Sequence, residues 1–565
     1  MKRRSRPDQS RGGAVESPAP SPEGAGPSAA RLARRRLLGI WSLSSLVIFV
    51  MVGAWSLATP IYAGPDEGAQ VVRTVSLMRG ELAGPPAPGQ SLPTVEARVP
   101  QPYAKALSRP RCFMFRPWRN AACAPRFPSG STRMVKTTTY VGHYPPLYYA
   151  LVGTPSLFLS PLQAIFAMRL LSDLVMAAAV GLAFALGARP GMPPLLPAAT
   201  AVSFTPMAIF LGGVVNPSGM EIALSVLCWT AALVVAVGPD RFPSRGLLRI
   251  LGAASCLLAV TRFASPLWVA CIGLVLLALS EGPRLRYLSS NSTAIRWVAA
   301  VVAAAAACAT WDVATSAFLV GPAGPKATGS TVHVVAQSAL YVASLAEEVV
   351  GVLGWLDTRP PFVVYVLWIA CAVAVIAAGF ALGSRRGRTT LAVLAVTAIA
   401  IPTAMVASHA RRQGLWLLQG RDILPLLVGL PLSAAAITGR RHQKLLEVTG
   451  YSMVAVVWGC LLAFFAEALR RYTVGVNGPL DPLKILPGGW HPPLGASVLL
   501  ATFTLADGAY LILGLTLTRA ASRSAPVEKR GGELPAGDEA DSDPVAAGAA
   551  LRQAPPPAGS MWGER

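Results

Sequence analysis

LLGIWSLSSLVIFVMVGAWSLA (37–58), followed at once by TPIYAGPDEGAQVVRTVSLMRGEL (59–82), decides the class of this chain. The first stretch is apolar over about the 20 residues that a helix needs to cross a bilayer. The second opens on a proline-stiffened turn and sets Asp66 and Glu67 side by side at the membrane rim. A carboxylate at the bilayer centre costs about 2.5 to 3.5 kcal/mol on insertion scales. At the edge it keeps its water and stays available for chemistry. Most loop acids are simply solvated, so the case for a catalytic pair rests on residues further along the chain.

Runs of the same kind recur along all 565 residues, of which 53% are hydrophobic and 13% charged. The chain therefore reads as an all-α polytopic membrane protein. Its net charge of +22 comes from short arginine clusters between apolar runs and in the tails. That pattern fits membrane lipids with anionic head groups and gives no footprint for nucleic acid. Residues 1–37 are rich in Arg, Pro, Ser and Gly and end in RLARRR (31–36), a basic, disordered cytoplasmic tail before a signal anchor. Residues 519–565 have too little apolar surface to fold alone and form a second disordered cytoplasmic tail.

Between the tails, 38–518 reads as one transmembrane domain of about 12 helices, with 11 to 13 as the range. The runs lie near 38–59, 163–188, 195–213, 218–237, 247–261, 264–280, 296–319, 360–383, 389–407, 421–438, 447–467 and 495–518. An even count returns the C-terminus to the cytoplasm, and a plasma membrane setting is expected. The short loops then assigned inside carry Arg189, Arg241, Arg245, Arg249, Arg284, Arg286, Arg296, Arg385, Arg386, Arg388, Arg440, Arg441 and Lys444, a modest basic bias in the expected direction. PPLYYALVGTPSLFL (145–159) is short for a span and flanked by prolines, so it is predicted to be re-entrant or interfacial.

On this topology residues 60–162 are a long first extracytoplasmic loop with interfacial helices. It holds Cys112 and Cys123, whereas the other six cysteines fall in apolar stretches. A disulfide between these two fits an oxidising compartment; two free thiols are the alternative. No zinc-type spacing is present. The loop ends in TTTYVGHYPPLYYALVG (137–153), where an aromatic belt accounts for the tyrosines but less well for His143 beside Tyr144 in HYPP. In NPSGMEI (216–222), Asn216 is placed to cap a helix, and Glu221 lies inside an apolar run, where ionisable groups face a partner or a polar cavity. Arg262 in TRFASP, and Arg411, Arg412 and Arg421 in HARRQGLWLLQGRDILPLL (409–427), fall on the outer side. Basic residues there run against the usual bias and point to an anion.

Taken in order, the acidic pair after the first span, the loop ending in HYPPLYY, the NPSGMEI turn and the QGRDILPLL span resemble a bacterial family of multi-spanning proteins of unknown function. Fold similarity places that family with the GT-C glycosyltransferases, and the resemblance covers roughly 38–518. It implies a GT-C-like bundle and transfer from a polyprenyl-phosphate sugar to an envelope glycan or lipid acceptor. It also implies that Asp66 acts at the transfer site with Glu67 as alternate or helper, that the HYPP segment lines the donor site, and that Arg421 sits near the lipid phosphate. Where many relatives have an aromatic residue after the Gly-Arg of the last motif, this chain has Asp422, which is expected to pair with Arg421 and partly neutralise it.

The chemistry is coherent. An acceptor hydroxyl needs a carboxylate base within hydrogen-bond reach, and a departing phosphate is stabilised by Arg421, Arg411 or Arg262. Two outer carboxylates, or Asp66 with Glu221, could instead hold a divalent metal such as Mg or Mn. A flippase or export component for lipid-linked sugars would use the arginines without needing Asp66. A coupled transporter would show internal repeats, and none is found. No phosphate-binding GxxxxGK[ST] loop is present.

Overall fold

A computed structural model of the chain describes residues 27–87, 94–128, 130–316, 324–414, 418–481, 483–485 and 488–523. Of the expected disordered tails, 1–26 and 524–565 lie outside the described residues, whereas 27–37 and 519–522 are helical, as the ends of α1 (Pro27–Ala58) and of the last helix. Helix α1 (Pro27–Ala58) begins well before the expected first span, so RLARRR continues the helix.

The long loop comes next. It contains α2 (Glu67–Leu77), strand β1 (Val95–Pro100), α3 (Gln101–Ala106), strand β2 (Met134–Thr139) and α4 (Leu147–Gly153). β1 and β2 pair antiparallel, Val95 opposite Thr139 and Pro100 opposite Met134. This small sheet departs from an all-helical reading: β1 alternates, with Val95, Ala97 and Val99 buried and Arg98 exposed, but the run is short, and β2 carries no apolar alternation to mark its partner. The stretch 145–159 folds as α4 and one 3₁₀ turn. Leu157 and Phe158 are exposed along it.

Beyond the loop lie α5 (Pro161–Gly187), α6 (Leu195–Ser203), α7 (Pro206–Gly212), α8 (Pro217–Val237), α9 (Arg245–Ala259), α10 (Ser265–Leu279), α11 (Gly282–Ser290) and α12 (Ser292–Thr315). The chain closes with α13 (Thr331–Ser344), α14 (Ala346–Val350), α15 (Phe362–Leu382), α16 (Arg385–Gln413), α17 (Gly420–Leu427), α18 (Gly429–Ile437), α19 (Gln443–Thr473) and α20 (Ala496–Ser522). All twelve expected runs are helical, but not all are long enough to count as spans. Among the described residues nine helical segments, α17 with α18 counted as one, are long and apolar enough to cross a membrane, and ten if α6 and α7 form one broken span. α6 and α7 meet at a bend of 59°. Pro206 cannot donate a helical N–H, and the Thr205 hydroxyl caps the new helix at Ala208 N, 3.3 Å away. α9 and α10, at 15 residues each, rise only about 22 Å, short of a bilayer core of about 30 Å.

α8 is buried along almost its whole length and forms the axis of the bundle. Trp55, Trp229, Trp268 and Trp368 are fully buried between helices. The outside is as apolar as the inside: Val302 on α12, Val396 on α16, and Leu505 and Ile512 on α20 are all exposed. Such a surface suits hydrocarbon, where helix association depends on close packing rather than on escape from water. Gly181 on α5 and Gly379 on α15 sit at close crossings, where a Cβ would fall 2.4 Å from Ser45 Oγ and 2.8 Å from Ala434 Cα. The opposite end of the bundle from the long loop carries arginines clipped to helix ends, such as Arg189 on Asp240 and Arg284 on the carbonyl of Gly238.

Candidate functional site

The turn after α1 is set by its glycines and prolines. Gly64 has no room for a side chain, since a Cβ would lie 2.7 Å from Val214 Cγ1. Asp66 then takes a left-handed backbone, φ 62°, at the start of α2. That conformation is uncommon outside glycine, and Asp is one of the residues that tolerates it. It turns the two neighbouring acids in different directions.

Glu67 is turned inward and is fully buried. Arg169 on α5 meets it with two hydrogen bonds, Nε to Oε1 at 2.6 Å and Nη2 to Oε2 at 2.7 Å. The same guanidinium donates to the carbonyls of Ser56, Thr59 and Pro60, so all five of its N–H groups are used. Glu67 also accepts the backbone N–H groups of Tyr62 (2.9 Å) and Val215 (3.2 Å). This carboxylate is saturated and holds the turn, α5 and the start of α8 together. Asn216 does related work, donating to Pro65 O (3.0 Å) and capping α8 at Ser218 N (3.0 Å).

Asp66 is turned toward the loop-bearing end and keeps 24% of its side chain exposed. One oxygen accepts from the Tyr140 hydroxyl at 2.6 Å and the other from Arg421 Nη2. Burial, and then the negative charge of Asp66, raise the Tyr140 hydroxyl far above the usual phenol range, which keeps it a donor. Arg421 is nine-tenths buried, and its Nε and Nη1 have no hydrogen-bond partner. The helix that carries it packs tightly: a Cβ on Gly420 would fall 2.5 Å from the Glu348 carbonyl carbon and Val349 N. Gly420 N donates to Glu348 Oε2 at 2.9 Å. Glycine at 420 is therefore a condition for placing Arg421.

Beside this pair lies a second one. Glu221 is fully buried and accepts from Arg262 Nη1 (3.0 Å), Ser265 Oγ (2.7 Å) and Trp268 Nε1 (3.2 Å). Arg262 also donates to Asp422 Oδ1 at 3.0 Å, and Asp422 accepts Gln419 N at the start of α17. The expected pairing of Asp422 with Arg421 is thus replaced: Asp422 belongs to Arg262, and Arg421 belongs to Asp66. Tyr144 lies beside this second group, with the Arg262 guanidinium 6.0 Å from its ring centroid. The neighbouring His143 accepts Trp311 Nε1 at its carbonyl (2.8 Å) and leaves its ring Nδ1 unpartnered. Burial, and then Arg73, hold this imidazole below its ordinary pKa.

The structure therefore brings together Asp66, Tyr144, Glu221, Arg262 and Arg421, with His143 at the margin. It does not bring Arg411 and Arg412 to them. Both lie on the exposed last turn of α16, where Arg411 donates to Gly329 O and Thr331 Oγ1. Tyr140 and Arg169 join the network without having been singled out, and Asp422 joins it through Arg262 rather than Arg421. Arg169 was legible, as a charge inside the second apolar run. Tyr140 and the Asp422 pairing depend on contacts distant in sequence. Among the described residues no three His, Cys, Asp or Glu side chains cluster as ligands for a metal ion. The Cys112–Cys123 disulfide is formed, and the six other cysteines are free.

A family model described as "Predicted membrane protein (DUF2142)" matches residues 49–430. The match spans more than half of the chain, and the chain belongs to that family. No curated protein and no solved structure matches it.

Proposed function

We propose that this member of the family is a glycosyltransferase of the plasma membrane, with a GT-C-like bundle of about twelve crossings and both termini cytoplasmic. It moves a sugar from a polyprenyl-phosphate donor to an envelope glycan or lipid acceptor at the outer face. The observation that carries the reading is the Asp66–Arg421 pair, in which the carboxylate is partly exposed and the guanidinium keeps two buried nitrogens, Nε and Nη1, without a partner. A phosphate would take those donors, charge-assisted bonds being the stronger kind. Arg421 then turns from Asp66 toward the phosphate, and the carboxylate is released to accept the proton of an acceptor hydroxyl. Asp422 and Glu221 stay paired with Arg262, so Arg262 is held in place by two carboxylates beside the reacting pair. The departing phosphate keeps its negative charge beside Arg421. Glu67 has no free lone pair for this work and serves as a positioning residue.

A lipid-linked substrate has a place for its chain. An apolar cavity of about 380 Å³ lies between α13, α15, α16 and α17, lined by residues such as Ala343, Trp368, Ala372 and Leu424. Ile369 and Ile399 at its edge are exposed. Its wall includes Ile423, two residues after Arg421, so head-group and chain sites share one helix. The same cavity would serve a flippase or export component, and substitution at Asp66 separates the two. Polyprenyl-phosphate sugars are measured by mass spectrometry in membranes carrying wild type or Asp66→Asn at matched protein levels. Accumulation of one lipid-linked sugar in the variant supports transfer and identifies the donor. An unchanged profile, alongside a deletion strain that accumulates the sugar, would move the assignment to flipping or export.

A further inference from the structure

Asp66 does not line a second cavity of about 370 Å³, which lies between the 59–61 turn, the segment 109–127 that holds the disulfide, and the segment just before α20. Its volume is at the small end of the roughly 300 to 1,000 Å³ typical of ligand sites. Phe127, Phe166 and Trp490 are half-buried around it and Phe113 is buried at its wall, so aromatic faces look into the space. Arg109 and His491 supply the polar groups, and no acidic side chain lines it. Arg109 lies 5.8 Å from the Phe127 ring centroid, donates to Pro125 O, and leaves its Nε without a partner.

The cup is held in shape from three sides. The Cys112–Cys123 bond brackets Phe113, and the buried Arg471 of α19 donates to the carbonyls of Phe113 (2.8 Å) and Arg119 (2.6 Å). Trp490 N donates to Thr473 O at 3.0 Å. The carbonyls of Thr59 and Pro60 at its floor are held by Arg169. A lining of rigid ring faces with one guanidinium and one imidazole has the chemistry of a saccharide site: the apolar face of a sugar ring stacks on an aromatic ring, and a planar guanidinium takes oxygen pairs on its edge. A cation would need carboxylates, and a lipid chain would need an entirely apolar lining.

We propose that this cavity binds a saccharide of one or two rings, stacked on Trp490 and Phe166 with Arg109 on its hydroxyl or carboxylate oxygens. Identifying that saccharide as the acceptor rests on the transfer reading; that the cavity holds one does not. The test is an immobilised panel of neutral hexose, pentose and uronic-acid oligosaccharides, probed with the purified full chain and its variants. At least one class is expected to bind wild type, with affinity lowered at least tenfold by Trp490→Ala, several-fold by Arg109→Gln, and little by Trp490→Phe. Should Trp490→Ala fail to fold, Phe166→Ala removes a different wall and is expected to show the same loss. Asp66→Asn is expected to keep saccharide binding even where it stops transfer, so the two readings fail separately. No binding by wild type, binding indifferent to both ring substitutions, or displacement of the bound saccharide by anionic phospholipid vesicles would overturn the proposal.

Discussion

Asp66 and Arg421 stand 355 positions apart in the chain and form one ion pair, steadied by the Tyr140 hydroxyl on the other carboxylate oxygen. If this pair is the transfer centre, each partner is needed for a different part of the reaction. Removing one preorganised charge-stabilising donor from such a centre costs about 10²- to 10³-fold in rate. Arg421→Ala is expected to lose that much turnover of a polyprenyl-phosphate sugar in membranes, and Asp66→Asn the roughly 10²- to 10⁴-fold of a general base. Arg421→Lys recovers only part, because an ammonium is a point charge without the guanidinium fork. Wild-type turnover in Asp66→Asn would remove it as the base.

The adjacent acid is expected to behave oppositely. Glu67→Gln leaves the Arg169 guanidinium charged and buried with no counter-ion, and breaking a buried pair in this way costs about 3 to 5 kcal/mol. The variant should melt well below wild type and yield less folded protein in detergent, while Asp66→Asn, whose pair with Arg421 is partly exposed, is expected to lose less. A wild-type melt for Glu67→Gln combined with lost turnover would exchange the roles of the two acids.

The membrane class, the positions of the helical runs and the absence of a long helix at 145–159 could be read from apolar run length and proline placement. The span count could not be read so simply, because α6 breaks at Thr205–Pro206 and α9 and α10 stop at 15 residues. Local pattern also marked Asp66, Glu221, Arg262 and Arg421, all polar groups beside or within apolar runs. It could not say which cation each acid meets. Asp66 and Glu67 are neighbours with the same chemistry, and only the left-handed backbone at Asp66 sends one outward and the other onto Arg169. Arg411 and Arg412 were marked together with Arg421 because all three lie in one short stretch, and sequence does not show that the last turn of α16 stands apart from the site.

His143 gives a pH signature. Burial and Arg73 hold its imidazole below the ordinary value, so in the native state it stays neutral at a pH where the unfolded chain, with a His pKa of about 6.5, already binds a proton. The unfolded state then carries the extra proton between the lowered native pKa and about 6.5, and stability rises with pH across that window. The melting temperature is expected to climb from about pH 5 to about pH 7, and His143→Asn should flatten part of that slope. Equal slopes in the two proteins would mean that the imidazole is as easily protonated in the fold as outside it.

The apolar cavity beside α17 allows a test that separates the chain of the donor from its head group. Ala372 on α15 and Ala343 on α13 face that space, so Ala372→Trp fills volume that is empty rather than packed. Overpacking a filled core costs about 1 to 3 kcal/mol, and here the cost should be smaller, leaving the melt near that of wild type. If the cavity receives the prenyl chain, KM for a long-chain donor rises in Ala372→Trp while kcat changes little. A short-chain, water-soluble donor should be used equally well by both proteins, because its phosphate still reaches Arg421. Equal loss with both donors would show that the tryptophan acts on α17 and the Arg421–Asp66 pair, and the lipid chain would then have to be sought on another face of the bundle.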